Sequence, residues 1–177
     1  MRLQKLAGIL GIAAFLVFTA IAVLNYTNYN FAGQFLSELG TGIASALWFN
    51  AGLVITGACL AVFFAGFWKE SKAIAIAGIL ASLALAGIGV FPMNQEPAHS
   101  IAAGLFFFFA GISVLLFAKE NRKDRLLFTV SFLALVTDIA YLGIGNPISQ
   151  KVSVALFLAW VFAICLQNKV SKIANST

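Results

Sequence analysis

Charged residues are scarce in this 177-residue sequence. Only 10% of the residues are Asp, Glu, Lys or Arg, and 62% are hydrophobic, whereas an average soluble domain carries roughly 25% charged residues. The low charge content excludes an ordinary soluble globular protein. No polar stretch is long enough to build a second domain, so we predict one transmembrane domain covering residues 1–177.

Histidine and cysteine are also rare, which limits the chemistry that the chain can support. There is one histidine, His99, and there are two cysteines, Cys59 and Cys165. A zinc site usually needs three or four His, Cys or carboxylate ligands, and a haem held by two histidines needs a second one. Both cysteines lie in apolar segments without a partner at metal-ligand spacing, so we interpret them as buried small side chains. We therefore predict no metal and no cofactor.

Acidic residues are outnumbered by basic ones, 6 against 11, but the basic residues occur in short clusters between apolar segments. A nucleic-acid-binding surface needs a continuous basic patch or stripe. Nucleic acid is therefore excluded as a partner, and membrane lipids are the partners that the composition predicts.

What the sequence does contain is a series of apolar segments long enough to span a membrane. A helix needs about 20 mostly apolar residues to cross roughly 30 Å of hydrocarbon. The sixth segment is the shortest, with an apolar core of Val152–Leu166, and Ile148 together with the long side chain of Lys151 extends it. We predict an all-α integral membrane protein with six helices. They cover residues 6–24, 43–68, 73–91, 101–118, 126–145 and 148–167.

The distribution of Lys and Arg predicts the orientation, because cytoplasmic loops are enriched in these residues. Ten of the 11 lie before the first helix, after the sixth, or between helices two and three or four and five, and Lys151 alone lies on the other side. Both termini are therefore predicted to be cytoplasmic, in a multi-pass protein of the cell membrane. The triplet Ala20-Ile21-Ala22 resembles a signal-peptide cleavage site, but the apolar run before it is long, so we expect the first helix to be retained.

Two spacings in the sequence bear on helix packing. Lys69, Lys119 and Lys169 lie fifty residues apart, which suggests three helical hairpins of one pattern, although six equal helices with short loops would give the same spacing. Small residues recur every fourth position on helices two and three, and such stripes allow helices to approach closely in lipid. The predicted packing faces are Gly57, Ala61 and Ala65 on one helix, and Gly78, Ser82 and Ala86 on the other.

Asp138 is the ionisable residue that lies deepest in a predicted span. A charge at membrane depth costs about 2.5–3.5 kcal/mol on insertion scales, and such residues normally face the bundle interior. Counting from Gly145 at about 1.5 Å per residue places Asp138 roughly 10 Å below the outer surface. We predict that Asp138 points into the bundle, with Asn50, Tyr141 or His99 within hydrogen-bonding distance, directly or through a water molecule.

Further polar residues cluster on the same side of the membrane, so a site would open outward. His99 and Ser100 begin the fourth helix, and Ser37 lies before the second. The candidate catalytic residues are His99 as general acid or base, Asp138 as the group that orients it, and Ser100 or Ser37 as nucleophile. The candidate ligand-binding residues are Glu38, Asn50, Asn94, Glu96 and Tyr141.

The first outer loop, residues 25–44, contains apolar residues spaced four apart. Phe31, Phe35 and Leu39 predict a short amphipathic helix that would lie in the interface and cover the outer cavity. The alternative is an ordinary loop held at the interface by its aromatic residues.

Several short motifs resemble those of the prokaryotic membrane proteins grouped as domain of unknown function 998. They are Ser37-Glu38-Leu39-Gly40, Phe49-Asn50-Ala51-Gly52, and Gly89-Val90-Phe91-Pro92 followed by His99-Ser100. The resemblance covers nearly the whole chain. It implies a six-helix architecture and brings no established activity.

Three functions fit these residues. The first is an outward-facing site that binds or processes a lipid-like amphiphile, through His99, Asp138 and a serine. The second is a small transport or ion- or proton-binding module built on Asp138 and Asn50, for which six helices are few unless the chain forms a homo-oligomer. The third is a structural subunit of a membrane complex, in which Asp138 and Asn50 only bond across helices. An amphiphilic small molecule is the ligand that we favour.

Overall fold

The computed structural model describes residues 2–167. Within this range the chain forms six α-helices and one 3-10 helix, with no β-strand. All six α-helices are long and apolar enough to span a membrane, which confirms the predicted fold class. Lys169 and Lys172, used above to predict orientation, lie outside the described residues. The helices are α1 Arg2–Asn25, α2 Ala46–Ala65, α3 Lys72–Val90, α4 Ala98–Glu120, α5 Arg125–Ile144 and α6 Pro147–Leu166, and the 3-10 helix is Leu36–Gly40.

The ends of α5 and α6 follow from local sequence. The Asp124 side chain accepts a hydrogen bond from the backbone N–H of Leu127 at 3.1 Å and caps α5, as acidic and amide side chains commonly do at helix starts. Gly145 ends α5 with a positive φ of 64°, a conformation that glycine adopts without steric penalty. Asn146 caps α6 through Ser149, and Pro147 occupies its first turn.

Consecutive helices pack against each other along the whole chain, and α6 packs back on α1. We call the end where α1 begins and α6 ends the basal end, and the opposite end the apical end. At the basal end Lys5 donates to the carbonyl of Gln167, and the Gln167 side chain donates to Asp124 at 2.8 Å. The predicted hairpins are contacting helix pairs, but α2 also packs on α3 and α4 on α5.

The predicted small-residue faces of α2 and α3 meet at Gly57. A Cβ atom added there would lie 2.6 Å from the carbonyl oxygen of Ser82 and 2.9 Å from the Cβ of Ala86. The two backbones can approach this closely only because Gly57 has no side chain.

The basal half of the bundle is filled by aromatic side chains around Trp160, which is fully buried. Its ring centroid lies 5.5 Å from that of Phe117 and 6.0 Å from that of Phe64. Aromatic pairs at these distances add to the packing energy. The spaces inside the bundle lie on the apical side of this cluster.

Candidate functional site

A cleft of about 280 Å³ lies at the apical end, formed mainly by α4, α5 and the 3-10 helix. Its polar lining residues come from four separate parts of the chain. They are Ser37, Glu96, His99, Ser100, Tyr141 and Gln150. Most of its polarity therefore comes from Glu96 and the start of α4, together with the apical ends of α5 and α6.

An apolar cavity of about 50 Å³ continues from the cleft toward the middle of the bundle. Most of its walls are aliphatic and aromatic, with Phe49 and Leu53 from α2 and Phe106 from α4. The cleft and the cavity share five lining residues. These are Ser37, His99, Ala103, Phe107 and Gln150.

His99 lies at this junction and is only 6% exposed. Its Nδ1 atom lies 2.8 Å from the carbonyl oxygen of Phe91. A carbonyl oxygen can only accept, so Nδ1 carries the hydrogen and Nε2 of the neutral ring presents a lone pair. Two motifs of the sequence, Gly89-Val90-Phe91-Pro92 and His99-Ser100, are joined by this bond.

Glu96 binds the first turn of α4. Its carboxylate accepts from the Ser100 hydroxyl at 2.8 Å and from the Ser100 backbone N–H at 3.3 Å. A negative charge at this position complements the helix dipole. The Ser100 hydroxyl therefore donates to Glu96, and His99 does not activate it as the nucleophile hypothesis required.

Asp138 points into the bundle, where it is 7% exposed. Its Oδ1 accepts from the Ser153 hydroxyl at 3.3 Å, and its Oδ2 lies against Gly111, where an added Cβ would be 2.7 Å away. A space of about 10 Å³ adjoins it, which is the size of one water molecule. The predicted burial is confirmed.

The direct partner of Asp138 differs from the three that were predicted. Among residues 2–167, Asp138 forms no direct hydrogen bond with Asn50, Tyr141 or His99, and each of these side chains has another partner. Asn50 donates to the carbonyl of Gly40 at 3.0 Å, the Tyr141 hydroxyl accepts from Gln150 at 3.5 Å, and His99 is bound to Phe91. No direct hydrogen bond therefore joins Asp138 to His99, and the catalytic roles assigned to these residues stay predictions.

The loop between α1 and α2 covers the junction of cleft and cavity. Only residues 36–40 are helical, in a 3-10 helix, so the amphipathic helix predicted over residues 31–39 is shorter than expected. Glu38 closes this turn by accepting from the backbone N–H of Phe35 at 2.8 Å. The bond from Asn50 to Gly40 joins two further motifs of the sequence. We call residues 26–45 the apical loop.

Lys151 holds the apical loop to α6. Its ammonium group donates to the carbonyl of Gln34 and lies 5.0 Å from the ring centroid of Phe31 and 5.7 Å from that of Tyr29. Burial, the nearby Glu38 carboxylate and Tyr26 raise the pKa of Tyr29 to about 12. All three effects disfavour the tyrosinate.

Of the other predicted ligand-binding residues, Glu96 and Tyr141 line the cleft. Asn94 is exposed and does not line it, and Glu38 and Asn50 shape the apical loop. Sequence reasoning missed Gln150, which accepts from the Leu36 N–H at 2.8 Å, and Ser153. Ser153 could have been found from its position in the sequence. In the hairpin that turns at Gly145-Asn146, residues equally far from the turn lie at equal depth, as Asp138 and Ser153 do.

No group of three or more His, Cys, Asp or Glu side chains that could hold a metal ion occurs within residues 2–167. The arrangement offers a polar mouth, an apolar interior, and one imidazole acceptor at the boundary between them. Such a site can bind a molecule that is polar at one end and apolar at the other.

Comparison with known proteins adds the family. No curated protein and no solved structure matches the chain. The family described as "Protein of unknown function (DUF998)" matches residues 9–167, which include every helix except the first turns of α1. The chain therefore belongs to the DUF998 family of proteins of unknown function.

Proposed function

We propose that this protein binds an amphiphile from the membrane, with the polar head group in the apical cleft and part of the apolar chain in the adjoining cavity. The observation that carries the proposal is the shared boundary, in which His99, Gln150 and Ser37 line both spaces. A site with a polar mouth and an apolar interior is complementary to a molecule divided in the same way.

The dimensions agree with a head group and a short part of a chain. The cleft measures about 280 Å³. The cavity measures about 50 Å³, roughly a third of an engineered cavity of about 150 Å³ that binds benzene. The cleft also reaches the outer surface of the helices at Gly104 and Leu142, both exposed. A lipid could therefore enter sideways between α4 and α5 and leave the rest of its chain in the bilayer.

We place the basal end in the cytoplasm and the cleft on the outer side of the cell membrane. The support is the distribution of the nine Lys and Arg within residues 2–167, eight at the basal side and Lys151 alone at the apical side, because positively charged loops remain cytoplasmic. The ligand would then come from the outer leaflet.

A matched pair of glycine variants tests the proposal. Gly104 and Gly143 are both exposed helical glycines, and an added Cβ would meet no atom within 4 Å at either position. Gly104 lines the cleft, whereas Gly143 is not among its lining residues. Gly104→Leu should therefore fill the cleft, and Gly143→Leu should leave it open, with the same gain in apolar surface.

The measurement is mass spectrometry of lipids that copurify with each variant in mild detergent. We expect an amphiphile retained by the parent and by Gly143→Leu to be depleted at least severalfold in Gly104→Leu. Ala103→Phe, at the junction of cleft and cavity, should give the same depletion, while Ala155→Phe on the exposed face of α6 should not. Equal lipid content in all five proteins would contradict the proposal.

A further inference from the structure

We infer that the head group is uncharged and carries a hydroxyl group, which donates to Nε2 of His99. This inference rests on the proposed function and names the class of amphiphile that the same site accepts. Acylglycerols and long-chain alcohols belong to this class, whereas phosphate-bearing lipids do not.

The acceptor is already fixed in place. The Phe91 carbonyl holds Nδ1 of His99 at 2.8 Å, so Nε2 of the neutral ring can only accept. Nε2 has no hydrogen-bond partner among residues 2–167, although the ring is only 6% exposed and lines both the cleft and the cavity. Nε2 is not among the enclosed atoms that lack a partner, so it is accessible, and a ligand hydroxyl that donates to it would contribute to affinity.

An anionic head group has no counter-charge in this cleft. None of the described residues that line it is Lys or Arg. Lys151, the one basic residue at the apical end among the described residues, donates to the Gln34 and Pro147 carbonyls and does not line the cleft. A phosphate in the cleft would therefore have no cationic partner to compensate for the water that it loses on binding.

Glu96 already occupies the position that an anion would use. Helix N-termini bind phosphate through their free N–H groups and dipole, but at α4 the Glu96 carboxylate accepts from the Ser100 N–H and hydroxyl. A phosphate in the cleft would lie beside a like charge. Because Glu96 is exposed and its two oxygens are bound to Ser100, its charge alters the affinity of an anionic or a cationic head group only severalfold.

The test uses two probes with identical chains, dioleoylglycerol and dioleoyl phosphatidic acid, which differ only in the phosphate. Binding is measured by native mass spectrometry of the purified full chain titrated with each lipid. We expect dioleoylglycerol to bind at least about tenfold more tightly, equivalent to about 1.4 kcal/mol.

Two variants separate the parts of the inference. In His99→Asn the side-chain amide nitrogen takes the place of Nδ1 and can still donate to the Phe91 carbonyl. The variant lacks the Nε2 acceptor, so dioleoylglycerol affinity should fall about tenfold. Glu96→Gln removes the resident anion at nearly constant shape, so the ratio of phosphatidic acid affinity to dioleoylglycerol affinity should rise severalfold. Glu70→Gln, an exposed residue in the basal loop between α2 and α3, is the control for net charge and should change neither.

Equal or tighter binding of phosphatidic acid by the parent would overturn the inference, and so would unchanged dioleoylglycerol binding in His99→Asn. If neither probe binds but Gly104→Leu still loses a copurifying lipid, the head-group class is wrong and the proposed function stands. If neither probe binds and Gly104→Leu loses nothing, both fail.

Discussion

Replacing Lys151 by Met should release the apical loop from α6. The ammonium group of Lys151 donates to the Gln34 carbonyl and lies over the rings of Phe31 and Tyr29. Its other bond, to the Pro147 carbonyl at 3.2 Å, stays within the first turn of α6 and does not hold the loop. Beside the separate bond from the Leu36 N–H to the Gln150 side chain, Lys151 attaches the loop to α6 through one charged hydrogen bond and two ring contacts. Met removes these three contacts while keeping an apolar stem of similar length.

The expected size of the effect follows from these three contacts. A hydrogen bond from a charged donor contributes about 1.5–3 kcal/mol, and a cation–π contact at a partly exposed site about 0.5–1 kcal/mol. Water can replace part of the bond to the Gln34 carbonyl, and the Met side chain can still pack on the rings. We therefore expect a net loss of about 2 kcal/mol, which corresponds to about a 30-fold increase in the opening equilibrium of the loop.

Hydrogen–deuterium exchange of the protein in nanodiscs measures this opening. Amides of residues 34–40 should exchange about 30-fold faster in Lys151→Met than in the parent, while Lys151→Arg should remain close to the parent. Lys5→Met, which removes the comparable bond to the Gln167 carbonyl at the basal end, should not change exchange in the apical loop. Unchanged protection of residues 34–40 in Lys151→Met would refute the assignment of Lys151 as the residue that holds the loop.

Two further predictions concern packing and pH. Gly57→Ala should lower the stability of the protein in detergent by about 1–3 kcal/mol, because the added Cβ would clash with the Ser82 carbonyl. The control Gly143→Ala should be neutral or stabilising. Equal thermal stability of the two variants would disprove this prediction. Because the pKa of Tyr29 is raised from 10.0 to about 12, the docked loop favours neutral tyrosine, so this stabilisation is present below pH 10 and is lost as the pH rises through about 12. The late-ionising part of the tyrosine absorbance titration should be smaller in Tyr29→Phe than in the parent, and an unchanged titration curve would contradict the assignment.

The helices could be predicted from the sequence because hydropathy is a local property. The predicted span of α5, residues 126–145, differs from the observed Arg125–Ile144 by one residue at each end. Burial of Asp138 could be predicted for the same reason, since the penalty for a carboxylate in lipid depends on depth and hardly on the neighbours.

The partners of the polar residues could not be predicted in the same way, because they depend on how each helix is rotated about its axis. Asn50 was expected near Asp138 from depth alone, but its side chain faces the apical loop and binds Gly40. The pairing of Asp138 with Ser153 joins adjacent helices of one tight hairpin, and this is the one kind of partner that sequence position can suggest without knowledge of rotation.

The hydrogen-bond partners of the polar side chains distinguish residues with a structural role from His99, the candidate ligand contact. Asn50, Gln150 and Asp138 each bind another part of the chain, so their polarity is explained by the fold. Ser113 Oγ and Trp160 Nε1 are buried without a partner among the described residues, but they are enclosed by packed side chains and no ligand could reach them. Nε2 of His99 differs from both groups, because it is unpartnered and its ring borders open space on two sides. An acceptor without a protein partner is tolerated at such a place if a ligand or a water molecule donates a hydrogen bond to it. This is the physical reason to look for function at the boundary between cleft and cavity and not at Asp138.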